Sequence, residues 1–248
     1  MTVVSPWYRL GYVIPHLYTD LDAYQFYRVA PEGAMLVTTQ LNLGDYSLAA
    51  IEHELPTLWE RVDLLAMKRV DRIAVSGVPI ASALGRKRML ALLEEVRRRS
   101  GVPADTDLEA HIAALDHLGV RKLALATRWP DHVAQALIAY LAEAGIEVVV
   151  TRSRGRDLEQ NKLASPLEDH QLALELGRQA LRDAPDAQAL MLPGGLWFAI
   201  HAMPVLEAEF GVPVTLNITA TLWAALHDME GGLPNRPDPR WGRLLASL

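Results

Sequence analysis

The feature that most constrains this chain is a strand-length apolar run that stops on glycine and occurs twice. Arg72-Ile73-Ala74-Val75-Ser76-Gly77-Val78-Pro79 is the first, and Ala189-Leu190-Met191-Leu192-Pro193-Gly194-Gly195 is the second. Each is followed by residues at helical spacing. A short unbroken apolar run of this kind reads as a central strand of a parallel sheet, buried on both faces. Its glycine then lies at the strand's carboxyl end, the edge at which open α/β sheets bind ligands. Two such ends, one in each half, predict a single site between two similar lobes.

The surrounding segments repeat in the same order. The first half reads as a strand at Leu10–Pro15, a helix beginning near Leu21 with Asp20 as a possible cap, and a strand at Ala34–Leu41. A helix from Ser47 to Met67 follows, which Pro56 should kink or split. After the organising strand come a helix from Leu84 to Ser100, a short strand introduced by Gly101-Val102-Pro103, and a helix from Thr106 or Asp107 to Leu118. The second half begins with a strand at Arg121–Thr127, a helix opened by Trp129-Pro130-Asp131, and a strand at Ile146–Thr151. A polar stretch, Arg152–Ser165, then leads to a helix from Leu167 to just before Pro185. After the returning strand a helix ends near Phe210, Gly211-Val212-Pro213 echoes the earlier Gly-Val-Pro, and a last helix spans Thr219–Met229. Strands alternating with helices imply parallel sheets joined by right-handed crossovers. The expected fold is α/β, with two pseudo-symmetric flavodoxin-like lobes carrying parallel four-stranded sheets. Residues 1–117 with 218–248 would form one lobe and 118–217 the other.

Half of the 248 residues are hydrophobic and 22% are charged, enough apolar material for a substantial core. The net charge of −6 gives no reason to expect nucleic acid. The run Arg97-Arg98-Arg99 closes a helical pattern, where cations favour the helix dipole. No apolar run approaches the roughly 20 residues that span a bilayer, so no membrane association is expected. The start shows no leader pattern, and a cytoplasmic protein is the expectation. There is no cysteine, which excludes disulfides, thiolate zinc sites and a cysteine nucleophile.

Several stretches together resemble the aspartate/glutamate racemase superfamily, in its arylmalonate decarboxylase and maleate cis-trans isomerase branch. They are Leu118-Gly119-Val120-Arg121-Lys122-Leu123-Ala124-Leu125-Ala126-Thr127, Met191-Leu192-Pro193-Gly194-Gly195, Gly211-Val212-Pro213-Val214 and Ala220-Thr221-Leu222-Trp223. The tail from Arg236-Pro237 to Gly242-Arg243-Leu244 resembles the decarboxylase as well. The resemblance implies a cofactor-independent enzyme, commonly oligomeric, whose two cysteines face each other across the lobe interface as acid, base or nucleophile. Here Gly77 aligns with the first cysteine and Gly194 with the second. A glycine can neither transfer a proton nor attack a double bond. The expectation is the family fold without the family thiols.

What remains at such a site is backbone and a few side chains. The N–H groups around Ser76, Gly77, Val78, Gly194 and Gly195 would lie before helix amino ends, which favour an anion, although Pro79 and Pro193 remove two donors. By the resemblance, Trp129 replaces a site tyrosine, Pro15-His16-Leu17-Tyr18-Thr19 replaces a smaller loop, and Asn161 retains a substrate-binding asparagine. The wall would then be larger and more aromatic. His16 follows a strand at the cleft end and titrates near neutrality, which makes it, with Tyr18 and Asn161, a candidate for proton handling. Ser76 offers a hydroxyl. Thr106, Asp107, Asn217 and Thr219 sit at matching strand–helix turns, as caps or as cleft residues. His201 is expected well inside the helix after Gly194. Glu52, His53, His111 and His117 are expected on surface faces of helices. A metal set of His16, Asp20, Asp105 and Asp107 lacks any close-spaced ligand motif, so neither metal nor cofactor is expected. The expected ligand is a small carboxylate or cyclic amide, and the reaction decarboxylation, isomerisation or C–N hydrolysis. The rival readings are a non-catalytic acid-binding protein and a metal-assisted hydrolase.

Overall fold

The computed structural model describes residues 5–18, 20–229 and 231–248. Met1–Val4, part of the segment read for a leader, and Thr19, the end of the His16 loop, lie outside them. The first half runs β1 (Tyr8–Ile14), α1 (Asp20–Val29), β2 (Ala34–Gln40), α2 (Leu48–Met67), β3 (Arg72–Val75), α3 (Val78–Leu84), α4 (Arg86–Ser100), β4 (Ala104–Thr106) and α5 (Asp107–His117). The second runs β5 (Lys122–Thr127), α6 (Asp131–Glu143), β6 (Glu147–Ser153), α7 (Leu158–Leu163), α8 (Pro166–Asp183), β7 (Ala189–Leu192), α9 (Ala202–Phe210), β8 (Val214–Leu216) and α10 (Asn217–His227). The chain closes with α11 (Arg243–Ala246).

The two sheets have the same parallel order, β2-β1-β3-β4 and β6-β5-β7-β8. Period-two alternation sends successive side chains of each central strand to opposite faces. Leu10, Tyr12, Ile14, Ala74, Ala124, Leu190 and Leu192 enter one core, while Val13, Ile73, Val75, Leu123, Leu125 and Met191 enter the other. Each core therefore draws on both halves. α10 packs on α5 and α1, and the closing segment packs against α9, where Arg243 N–H donates to Glu207 Oε2 at 2.9 Å. No described helix is long and apolar enough to cross a membrane.

Several local expectations need correction. α2 runs through Pro56 without splitting, because Ile51 on one side and Leu58, Val62 and Leu65 on the other are all held in the core. The organising strand leads first into the short α3, opened by Pro79 and stopped by Gly85, before α4 begins. The polar stretch contains α7, which starts with a capping box between Asp157 and Gln160. The arginine run does lie in the last turn of α4, as expected, and it also pairs with Glu94, Glu95 and Asp63.

Candidate active site

Gly77 and Gly194 occupy equivalent places at the carboxyl ends of β3 and β7, with φ of 122° and 121°. This is backbone that L side chains rarely adopt, and it lets the chain reverse sharply there. Each turn is anchored by the first residue of a helix that follows the neighbouring strand. Gly77 N–H donates to Asp107 Oδ2 at 3.2 Å, and Gly194 N–H donates to Asn217 Oδ1 at 2.8 Å. The two anchors meet, since Asn217 Nδ2 donates to Asp107 Oδ2 at 2.8 Å. Asp107 is fully buried and also accepts from Ser76 Oγ, Thr221 Oγ1 and Tyr12 Oη. Burial raises its pKa against the hydrogen bonds that favour its ionised form. Asn217 Oδ1 is also bound by His111 Nε2, whose Nδ1 faces Thr215 Oγ1. Burial lowers the His111 pKa to about 4, so it is a neutral imidazole. It is a core residue rather than the surface one expected, because α10 covers the α5 face that carries it.

These bonds change the expected anion cradle. The amides of Gly77 and Gly194 are engaged internally, and α9 begins only at Ala202, well past Gly194-Gly195. The second turn therefore has no helix amino end behind it. His201 is the cap residue immediately before α9 rather than one two turns inside it. Among the described residues, Gly195 N–H and Leu196 N–H have no acceptor.

A cavity opens between the two turns. Ser76, Gly77 and Val78 line it from the first half, and Gly194, Gly195 and Leu196 from the second. Tyr46 and Trp129 form an aromatic wall, edge to face with ring centres 6.5 Å apart. His16 enters the cavity at 5% exposure, and its Nδ1 is buried without a partner. Burial lowers its pKa to about 4, which Lys162 and Arg128 reinforce by repulsion. The imidazole is neutral at pH 7.

The remaining candidates fall outside the cavity. Tyr18 is 58% exposed. Asn161 is buried behind the wall, where its Nδ2 donates to Tyr46 Oη at 3.2 Å. Thr106 caps α5 by accepting from Glu109 N–H at 3.0 Å, and Thr219 Oγ1 accepts from Leu216 N–H at 3.0 Å. Asp20 is the first residue of α1. The four residues weighed as a metal set are not gathered, since Asp105 pairs with Arg72 and Asp107 is enclosed by its donors.

Two charged residues at the site were not singled out from the sequence. Arg128 lines the cavity at 2% exposure and places Nη1 at 2.8 and 2.9 Å from the two carboxylate oxygens of Asp169. Its signal was its place just past the carboxyl end of β5, beside Trp129. Asp22 of α1 is 2% exposed and packs over Gly195, where an added Cβ would collide with its Oδ1. Burial, with the nearby charges of Asp107 and Asp20, raises its pKa to about 8, and its Oδ2 has no partner.

A family model described as arylmalonate decarboxylase matches residues 26–240. An arylmalonate decarboxylase from Bordetella bronchiseptica is 28% identical over 208 residues, 84% of this chain and 85% of the relative. Among solved structures, a doubly substituted arylmalonate decarboxylase in its liganded form superimposes with a TM-score of 0.85 at 25% identity, covering 97% of this chain and all of that one. A Nocardia farcinica maleate cis-trans isomerase with a covalently bound succinylcysteine intermediate superimposes at 0.81 with 18% identity, covering 97% and 99%.

Proposed function

The chain belongs to the arylmalonate decarboxylase family, and from that footing we propose that it removes CO2 from an aryl-substituted malonate-type acid by a thiol-free route. The observation that carries this reading is the cavity itself. It lies between two glycine turns, has Tyr46 and Trp129 as an aromatic wall, and holds one imidazole. Isomerisation through a thiol adduct, as in the Nocardia farcinica structure, needs a nucleophile that neither glycine supplies. Decarboxylation needs less: a bound anion, a place for the electron pair, and a proton.

The step balances with the groups present. The bond between the α-carbon and one carboxylate breaks and CO2 leaves. The electron pair stays on the α-carbon, delocalised into the aryl ring and the remaining carboxylate. An incoming dianion raises the proton affinity of the buried His16, which enters the reaction as imidazolium and gives its proton to the α-carbon. Water then returns a proton to His16, and the hydroxide left takes up the released CO2 as bicarbonate. Gly195 and Leu196 N–H groups are placed to donate to negative charge developing near the second turn. Tyr46 is fixed by Asn161, which gives the latter a positioning role at the wall.

Incubation of purified protein with phenylmalonate and with maleate, monitored for CO2 release and for fumarate, tests the reading. The expected result is CO2 from phenylmalonate and no fumarate from maleate. A second reading, a non-catalytic acid-binding protein, is favoured by the two missing thiols. Thermal stabilisation by aryl acids with no turnover of any of them would establish it.

A further inference from the structure

We infer that Arg128, which lines the cavity, holds the substrate's carboxylate, with Arg156 behind it sharing the carboxylate of Asp169. This deepens the functional reading above by naming what binds the anion, since the Gly77 and Gly194 amides are engaged by Asp107 and Asn217. Arg128 makes both of its bonds to Asp169 through Nη1, and its Nε and Nη2 have no acceptor among the described residues. Arg156 is held alongside by a 2.6 Å hydrogen bond from its backbone N–H to the Arg128 carbonyl. Its Nη1 is buried with no hydrogen-bond partner and lies 3.6 Å from Asp169 Oδ1. Asp169 is fully buried and also accepts from Phe198 N–H at 3.3 Å, so its oxygens are shared three ways.

Two guanidinium groups share the buried carboxylate of Asp169, and the further acid that faces Arg156, Glu168, is exposed and bonded to Ser165, so positive charge remains at the desolvated Arg128 end. Buried charge is retained only when paired. Lys162, the next cation, already pairs with Glu159, and His16 is neutral. The face of Trp197 lies 5.5 Å from Arg128 Cζ and steadies the cation without neutralising it. The missing partner is an anion entering from the cavity that Arg128 lines. A planar carboxylate suits the forked donors of a guanidinium, with the attached ring resting against Tyr46 and Trp129.

The test is a calorimetric titration of phenylacetate and of its neutral analogue phenylacetamide into wild type, Arg128→Lys and Arg156→Gln. Wild type should prefer the acid by about tenfold or more, the scale of a charge-assisted hydrogen bond. Arg156→Gln should weaken acid binding by roughly tenfold and leave amide binding unchanged. Arg128→Lys keeps a cation beside Asp169 but loses the fork, and should also weaken the acid selectively. If that variant does not fold, the part-exposed Arg156 decides the matter alone. Equal affinity for acid and amide, no binding of the acid, or an unchanged preference in Arg156→Gln would overturn the proposal. Selective, arginine-dependent binding in a protein that decarboxylates nothing would leave this subsite standing while the functional reading falls. Decarboxylation that is indifferent to both arginines would do the reverse.

Discussion

Asn217 Nδ2 donates to Asp107 Oδ2 at 2.8 Å, joining the residue that anchors the Gly194 turn to the one that anchors the Gly77 turn. An amide accepts from Gly194 N–H and His111 while donating to a carboxylate, and does so without having to hold a titratable proton. The pair therefore fixes the spacing of the two turns across the halves.

Replacing that amide by a carboxyl places two acids in contact, and one of them must keep its proton. In Asn217→Asp the folded state holds this proton with a raised pKa, so stability is present at low pH and is lost as pH rises through that pKa. The variant should melt near wild type below about pH 4 and lose roughly 3 kcal/mol or more by pH 8. A deficit that does not change with pH would show that the two side chains are not in contact.

Asp22 gives a second pH signature. Its folded pKa of about 8 lies far above the ordinary carboxylate range, so between about pH 4 and 8 the unfolded chain ionises while the folded one does not. That difference erodes wild-type stability as pH rises, with a limiting slope of about 1.4 kcal/mol per pH unit. Asp22→Asn cannot ionise. Its stability relative to wild type should improve steadily from pH 5 to pH 8 in denaturant titrations, whereas parallel curves would show that Asp22 is ionised in the folded protein.

The glycine turns make a third prediction. At Gly194 an alanine would sit at φ 121° with its Cβ 3.3 Å from Trp129 Cζ2. Gly194→Ala should therefore cost about 1–3 kcal/mol. Gly44 has open space around it and no unusual φ, so Gly44→Ala should be close to neutral. Equal thermal shifts for the two would remove the strain argument.

Much of this architecture was legible in the sequence, because a buried parallel strand leaves an apolar run and the run recurs with its glycine. Thr106 was equally readable, since a threonine before an acidic first turn is a cap signal. The site's charged residues were not. Arg128 finds Asp169 only after 41 intervening steps of chain, and nothing local marks a buried ion pair. His111 looked like a surface histidine because α5 is polar at its ends, and only the packing of α10 buries that face. The engagement of the glycine amides could not be foreseen either, because it depends on Asp107 and Asn217 meeting across the halves. His16 was found because it follows directly from a strand end, whereas Tyr18, two residues further on, is carried out to solvent.

The central claim, that a cavity without a thiol returns a proton to carbon, is tested most directly in D2O. Phenylmalonate is supplied to wild type and to His16→Gln, and the product is read by proton NMR. Wild type should give phenylacetate carrying one deuteron at the α-carbon, and His16→Gln should be slower by about 10²–10⁴-fold, the usual cost of a lost general acid. No phenylacetate from wild type, or an unchanged rate in His16→Gln, would contradict the account.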